Sequence, residues 1–374
     1  MHEGMMWGRI AAGSSWYTFP DDEMTSLRDV AEHAGVSVAT AWRVTHGADS
    51  VRPETRERVE LAMRELLYVP ATRPEATGAI GLLLPEFANP VFAALAQAME
   101  TYATRSGLAT ILCNTSGSAL REVGYVHMLL GRRVERMVFI CAEITDVRSD
   151  HAHYQQLIDR GARLVFVNGA SEALEATSVG VDERAAGRIA TEHLLELGHR
   201  RIGFVAGDAF ALPTREKTVG RGDALRAAGI EPNGYVAHGS FTVEGGRTAM
   251  GTLLDEHAAD PPTGVICSND LMAIGVLQEA VARGLRVPDE LSVVGFDGID
   301  AGGWTQPPLT TIEQPIDVIA KTAIAALSSE LDDPDLALAN YVFRPRLRLG
   351  GTTAAPPLRK AARRAPGRAR AAPR

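Results

Sequence analysis

Residues 26–70 read SLRDVAEHAGVSVATAWRVTHGADSVRPETRERVELAMRELLYVP, and three short helical patterns fill this stretch. Ser26 suits a helix N-cap, and Asp29 three residues on completes a capping box. Leu27, Val30, Ala31 and Ala34 then share one helical face. Gly35 gives the freedom for a tight turn, and Ser37 caps the next helix, Val38–His46. Pro53 suits the first position of a third helix, whose Val59, Ala62, Met63 and Leu66 form a second apolar stripe. Three brief stripes can share one small core and leave the outer face of the second helix free. That is the geometry of a helix-turn-helix, a shape that enters the major groove of DNA.

Outward from this headpiece the pattern changes. From Ile80 the chain alternates apolar strands with amphipathic helices. Strands are expected at 80–84, 109–113, 137–141, 164–167, 202–206, 265–267 and 291–296, with helices such as 90–106, 183–197 and 270–283 between them. This rhythm predicts right-handed βαβ units and parallel sheets covered on both faces. It runs too long for one typical sheet, so two doubly wound lobes are expected. The first crossing between them is expected near residue 181 and a return near 309, with 341–349 finishing in the second lobe. Residues 1–24 read as a disordered extension, 71–79 as a short hinge, and 351–374 as a basic, Ala- and Pro-rich disordered tail.

Charge is unevenly distributed. The whole chain carries −8, yet its last sixteen residues hold seven basic and no acidic side chains. Residues 26–73 hold seven arginines against seven acids. DNA affinity therefore rests on where arginines point and not on bulk charge. No apolar run is long enough to span a bilayer, and the first residues lack the pattern of a signal peptide, so a cytoplasmic protein is expected. Cys113, Cys141 and Cys267 are far apart and read as buried, reduced thiols. There is no G-x-S-x-G elbow, P-loop, strand-following GxGxxG or HExxH, so an enzyme is not expected, nor a cofactor or metal. His199, in the turn LGHRR, reads as structural.

The headpiece resembles that of the lactose-repressor (LacI) family of transcriptional regulators: DVAEHAGVS, PETRERV and YVP all match. IGLLLPEFANPVFAAL, VGVDERAAGRIATEHLLELGHRRIGFVAG, SNDLMAIGVL, RVPDELSVVGFDGID and PPLTTIEQP look like successive blocks of the family's ligand-binding core. The resemblance implies a small all-α helix-turn-helix headpiece, residues 25–70, and an α/β core of two doubly wound parallel-sheet lobes, residues 80–350. That core is similar to the periplasmic sugar-binding proteins. It further implies an allosteric repressor, acting as a homodimer or a higher assembly on double-stranded operator DNA, away from membranes. Its affinity would be set by a small polar effector, a sugar or sugar derivative. A solute-binding protein or sensor without operator control is the alternative reading of the core.

Carried over by position, the DNA-reading residues are Val38, Ala39 and Thr40, with Arg43 one turn on. Arg43 is suited to a bidentate contact with guanine, and Val38 and Ala39 to a thymine methyl. Ser37 and Thr40 fit phosphate contacts, and Arg52 fits either a phosphate contact or a solvated surface position. Two departures stand out. The family pattern TVSR is here Thr40-Ala41-Trp42-Arg43. Ala41 thins the core, and Trp42 suits either stacking on sugar-phosphate or covering the gap left by Ala41. The hinge, ATRPEATGA, is short and has Pro74 at its centre in place of the leucine that wedges into the minor groove, so weak operator bending is expected. In the core, the resemblance assigns Asn89, Phe92, Asn168, Arg215, Phe241, Asn269, Asp297 and Gln314 to the effector pocket. Asn168 stands where the family often has an aspartate.

Overall fold

The computed structural model describes residues 26–45, 48, 51–66, 68, 78–169, 171, 173–232, 234–332 and 338–357. The expected extension 1–24, most of the hinge 71–79 and the tail from 358 onward lie outside the described residues. The chain divides into two compact units, Met1–Glu75 and Ala76–Arg374.

In the first unit the helices are α1 (Leu27–His33), α2 (Val38–Thr45) and α3 (Pro53–Glu65). The Ser26 backbone N–H and hydroxyl both donate to the Asp29 carboxylate at 2.7 Å, and Ser26 Oγ accepts from the Asp29 N–H, which completes the capping box. Gly35 makes the turn at φ +62°. Ser37 Oγ accepts from the Thr40 N–H at 3.2 Å and so starts α2. The core is Val30, Ala31, Ala34, Ala41, Val44, Val59 and Ala62. Four of these seven are alanines, which remove little apolar area from water, so the headpiece core is thin. His33 and Glu65 tie α1 to α3 at 2.8 Å.

The second unit contains two six-stranded sheets. The first lobe holds β1 (Gly78–Leu84), α4 (Pro90–Arg105), β2 (Leu108–Asn114), α5 (Ala119–Gly131), β3 (Arg136–Ile140), α6 (Ala152–Asp159), β4 (Arg163–Val167) and β5 (Thr177–Val181). The second holds α7 (Glu183–Glu196), β6 (Ile202–Ala206), α8 (Leu212–Ala227), β7 (Val236–His238), α9 (Val243–Glu256), β8 (Gly264–Cys267), α10 (Asp270–Ala282), β9 (Ser292–Asp297), α11 (Asp300–Gly303) and β10 (Thr310–Glu313). The chain then returns through α12 (Ile316–Asp332) and ends in β11 (Asn340–Phe343) and β12 (Arg346–Arg348). Strand order is β11-β5-β4-β3-β1-β2 in one sheet and β12-β10-β9-β8-β6-β7 in the other. All pairings are parallel except β10 with β12, the doubly wound pattern. Each sheet has apolar cores on both faces. Leu82, Leu95, Met99 and Ile319 belong to one face of the first sheet, and Phe139, Tyr154 and Phe166 to the other.

Three features differ from the sequence reading. Thr177–Val181, Val236–His238 and Thr310–Glu313 are strands that the reading did not include. The return to the first lobe comes after Glu313, because β10 pairs with β9 and the cover of the first sheet begins only at α12. Residues 341–349 do not finish in one lobe: β11 extends the first sheet and β12 the second, so the chain crosses a third time between them. Short edge strands carry too few residues to show which sheet they join.

The C-terminal segment is also corrected. Gly351–Pro357 is not part of a disordered tail. The Val293 N–H donates to Thr352 O, and Thr352 Oγ1 donates to Val293 O at 2.7 Å. Buried His199 lies within hydrogen-bonding distance of Thr263 Oγ1 (2.9 Å), Ser292 Oγ (3.1 Å) and Ala354 O (2.9 Å), the structural role expected for it. Cys113 and Cys267 are buried, Cys141 is half-buried, and all three are free thiols. Among the described residues no helix is long and apolar enough to cross a membrane.

Candidate functional site

On the headpiece, α2 presents an exposed face of Ser37, Val38, Ala39, Trp42 and Arg43, with Thr40 half-buried and Ala41 and Val44 turned into the core. Ser37 Oγ lies 2.9 Å from Thr40 Oγ1, which orders the N-terminal turn of the helix. Trp42 is 51 % exposed and Val38 45 %, an unusual outlay of apolar surface for so small a unit. Arg52 is exposed at the N-cap of α3 and makes no side-chain cap bond.

In the core unit, the carboxyl ends of β1, β3, β4, β8, β9 and β10 converge on a cavity of about 170 Å³ between the lobes. Asn89, Phe92, Asn168, Phe241, Asn269, Asp297 and Gln314 line it, with Glu86, Thr145, Cys141, Glu183, Lys217, Ser268 and Phe296. A chain of hydrogen bonds crosses from one lobe to the other. Asn168 Nδ2 donates to Gln314 Oε1 (3.1 Å), and Gln314 Nε2 donates to Asp297 Oδ1 (2.7 Å). Asn89 Nδ2 donates to Asp297 Oδ2 (3.3 Å). Asn168 Oδ1 also accepts from the Val181 N–H (3.2 Å), which fixes the orientation of its amide.

Three cavity residues occupy backbone conformations that L-residues rarely adopt: Cys141 at φ +44°, Asn168 at +56° and Asp297 at +123°. Such strain persists only where the surroundings over-determine it, and it concentrates at binding sites. Asn269 caps α10 through the Met272 N–H and donates to Phe241 O at 3.1 Å, so it positions the aromatic loop. Gly207 has no side chain to obstruct this loop, because a Cβ there would overlap the Phe241 ring.

Arg215 is not part of the cavity. It lies exposed on α8, and Lys217 supplies the cavity's cation instead. Two residues turn a helix by about 200°, so these side chains project from opposite faces. Thr214, Lys217, Arg221 and Leu225 form the buried face of α8, and this spacing was the signal that could have selected Lys217 from sequence. Lys217 forms an ion pair with Glu183 at the first turn of α7, and its ammonium sits 3.7 Å from the centre of the Phe296 ring. Burial raises the Glu183 carboxyl, and the Lys217 charge opposes that shift.

Burial pushes the Asp297 carboxyl up to about 8, aided by the nearby Asp270 and opposed by Lys217 and the Gln314 amide. Asp270, itself raised to about 6 by burial, accepts from Thr311 Oγ1 (2.6 Å) and from the Gly298 and Ile299 N–H groups behind the cavity. The sign for stability follows from linkage. Below about pH 4 both folded and unfolded chains hold the Asp297 proton. As pH rises toward about 8 only the unfolded chain loses it, so stability falls. In the effector-free protein, Asp297→Asn is therefore expected to gain thermal stability over the native chain progressively between about pH 5 and pH 8. Melting curves at both ends of that range check this; parallel pH profiles for the two proteins would refute it.

The comparisons with known proteins match this geometry. Residues 26–71 match the model for bacterial regulatory proteins of the lacI family, and residues 191–353 match that for a periplasmic binding protein-like domain. An HTH-type transcriptional regulator from Streptomyces limosus is 39 % identical over 88 % of this chain and 94 % of its own length. The chain belongs to the LacI family. The family member MalR of Streptomyces coelicolor is 34 % identical over 89 % of this chain and 98 % of its own. Among solved LacI-type structures, the lac repressor dimer bound to operator and the anti-inducer ONPF superposes with a TM-score of 0.68 at 27 % identity, covering 89 % of this chain and all of that one. A complex of the transcriptional regulator CelR with cellobiose gives 0.67 at 29 % identity, covering 88 % and 100 %. This LacI-family chain is thus a DNA-binding transcriptional regulator with an effector-binding core.

Proposed function

We propose that the protein is a cytoplasmic repressor that binds a roughly palindromic operator as a homodimer and responds to a sugar or sugar derivative held between its lobes. One observation carries the effector half of this reading. The bonds linking Asn168, Gln314, Asp297 and Asn89 span both lobes, so a polyhydroxyl ligand seated among them exchanges partners with both lobes at once. A ligand shifts a conformational equilibrium only through such differential contacts, commonly worth about 1–3 kcal/mol of coupling. Phe92, Phe241 and Phe296 supply apolar faces for a sugar ring, and the amides and Asp297 supply hydroxyl partners. The effector is bound without being transformed.

On DNA, Arg43 reads guanine, Val38 and Ala39 pack on a thymine methyl, and Ser37, Thr40, Trp42 and Arg52 hold the backbone. Residues 26–73 carry no net charge to supply non-specific affinity, which argues for two headpieces per operator. The short, Pro74-containing hinge suits a duplex bent little at the operator centre. A gel shift on genomic fragments, run with and without neutral sugars, tests the reading. A specific shift that a sugar changes is expected; failure to retard any fragment would end it.

A further inference from the structure

The cavity around Asp297 borders a second one. Pro85, Cys141, Thr145, Ala211 and Phe241 line both. The second cavity has a volume of about 340 Å³, against about 170 Å³ for the first. Small-molecule sites commonly enclose roughly 300–1,000 Å³, a range that the first cavity alone does not reach and the joined pair does.

The second cavity has a distinct chemistry. Thr115, Ser118 and Ser240 contribute hydroxyl groups, and Glu122, Glu143, Asp146 and Asp208 contribute carboxyls; no lysine or arginine lines it. These acids are already held in place. Asp146 accepts from Arg148 Nε (2.9 Å) and Nη2 (2.6 Å), which keep it below the usual carboxylate range. Asp208 accepts from the Phe210 N–H at 2.8 Å, Glu122 accepts from the Tyr154 hydroxyl, and Glu143 accepts from Ser149. Fixed carboxylates with lone pairs to spare accept hydroxyl donors and repel phosphate or a second carboxylate.

Beside the lining residues Asp146 and Asp208 the two lobes touch. The Val147 N–H donates to Phe210 O at 3.1 Å, and the Arg148 guanidinium lies 4.0 Å from the centre of the Phe210 ring. The second cavity, like the first, is therefore walled by both lobes.

We propose that the effector is a neutral saccharide of at least two rings, one ring seated beside Asp297 and the next in the acidic cavity beyond Phe241, and that sugar phosphates and sugar acids are excluded. This rests on the reading of the cleft as a sugar-effector site. The test is calorimetric titration of the full chain with maltose, cellobiose, trehalose and lactose, with their component monosaccharides, and with the matching sugar phosphates. At least one disaccharide is expected to bind about tenfold or more tightly than its component sugars, with no heat from the phosphates. Ala119→Trp, on the wall of the second cavity alone, is expected to erase that preference, and its retained monosaccharide binding serves as the control for folding. A monosaccharide that binds as tightly as every disaccharide overturns the two-ring inference and leaves the sugar reading intact, as does a preference unchanged in Ala119→Trp. A sugar phosphate bound as tightly as its parent sugar overturns the exclusion. Binding by none of the sugars overturns both this inference and the sugar reading.

Discussion

Replacing Arg43 with alanine is expected to abolish specific operator binding at working concentrations. A bidentate arginine–guanine contact is worth about 1–3 kcal/mol, and the proposed homodimer loses it at both half-sites. At about 1.4 kcal/mol per decade, operator affinity then falls roughly 30-fold to 20,000-fold. The rest of the reading face cannot compensate, because Val38 and Ala39 have no side-chain donor and the Ser37 hydroxyl is engaged with Thr40. The character of the loss separates base reading from phosphate holding. A base contact removes preference at one operator position and leaves the salt dependence nearly unchanged, whereas a phosphate contact weakens all sequences alike and lowers the salt slope by about one. Fluorescence anisotropy with operator and scrambled duplexes, at several salt concentrations, makes the distinction. Equal weakening on both duplexes would place Arg43 on the backbone instead. Since Arg43 is exposed, the fold of the variant is expected to survive.

Lys217→Met is expected to give the largest loss of core stability. The lysine and Glu183 are both nearly buried, with side-chain exposures of 5 % and 12 %. Removing one partner of such a pair leaves an uncompensated charge and costs about 3–5 kcal/mol. For a unit of this size the melting temperature falls on the order of 10 °C. Glu183→Gln combined with Lys217→Met removes both charges and is expected to recover most of the loss, since apolar or neutral replacements of a buried pair are often tolerated. Thermal melts of the single and double variants close the cycle. A double variant as unstable as Lys217→Met would mean that the lysine's contact with Phe296, and not its charge partner, is what the core depends on. Either way the stability of the second lobe rests on a residue that also lines the cavity between the lobes.

Most of the site was legible in the sequence because it follows short-range rules. Asn89, Asn269 and Asp297 stand at strand ends or helix caps, and both the βαβ rhythm and the resemblance point to such positions. Phe241 was recoverable because its polar, Gly-rich surroundings mark a loop. Arg215 stands two residues from Lys217 but on the opposite, exposed face of α8, a difference that position along the helix alone does not carry. Glu183 gave no signal of its own, since a charged residue on a helix is ordinarily solvated, and Lys217 is singled out only by its spacing from Thr214, Arg221 and Leu225 along α8. Their burial depends on α7 and α8 packing against each other in the second lobe.

The sequence by itself determined the headpiece, the doubly wound rhythm and which face of α2 is exposed. These rest on helix caps, turn residues and apolar periodicity, which act over a few residues and are local in the chain. Only the tertiary structure decided where β10, β11 and β12 belong, that Gly351–Pro357 seals the second lobe, and that Lys217 and not Arg215 enters the cleft. It alone disclosed the second, acidic cavity, because Glu122, Asp146, Asp208 and Ser240 come from distant segments. Strand choice and cavity walls are set by contacts between residues far apart in sequence, and no local pattern encodes which of them will meet.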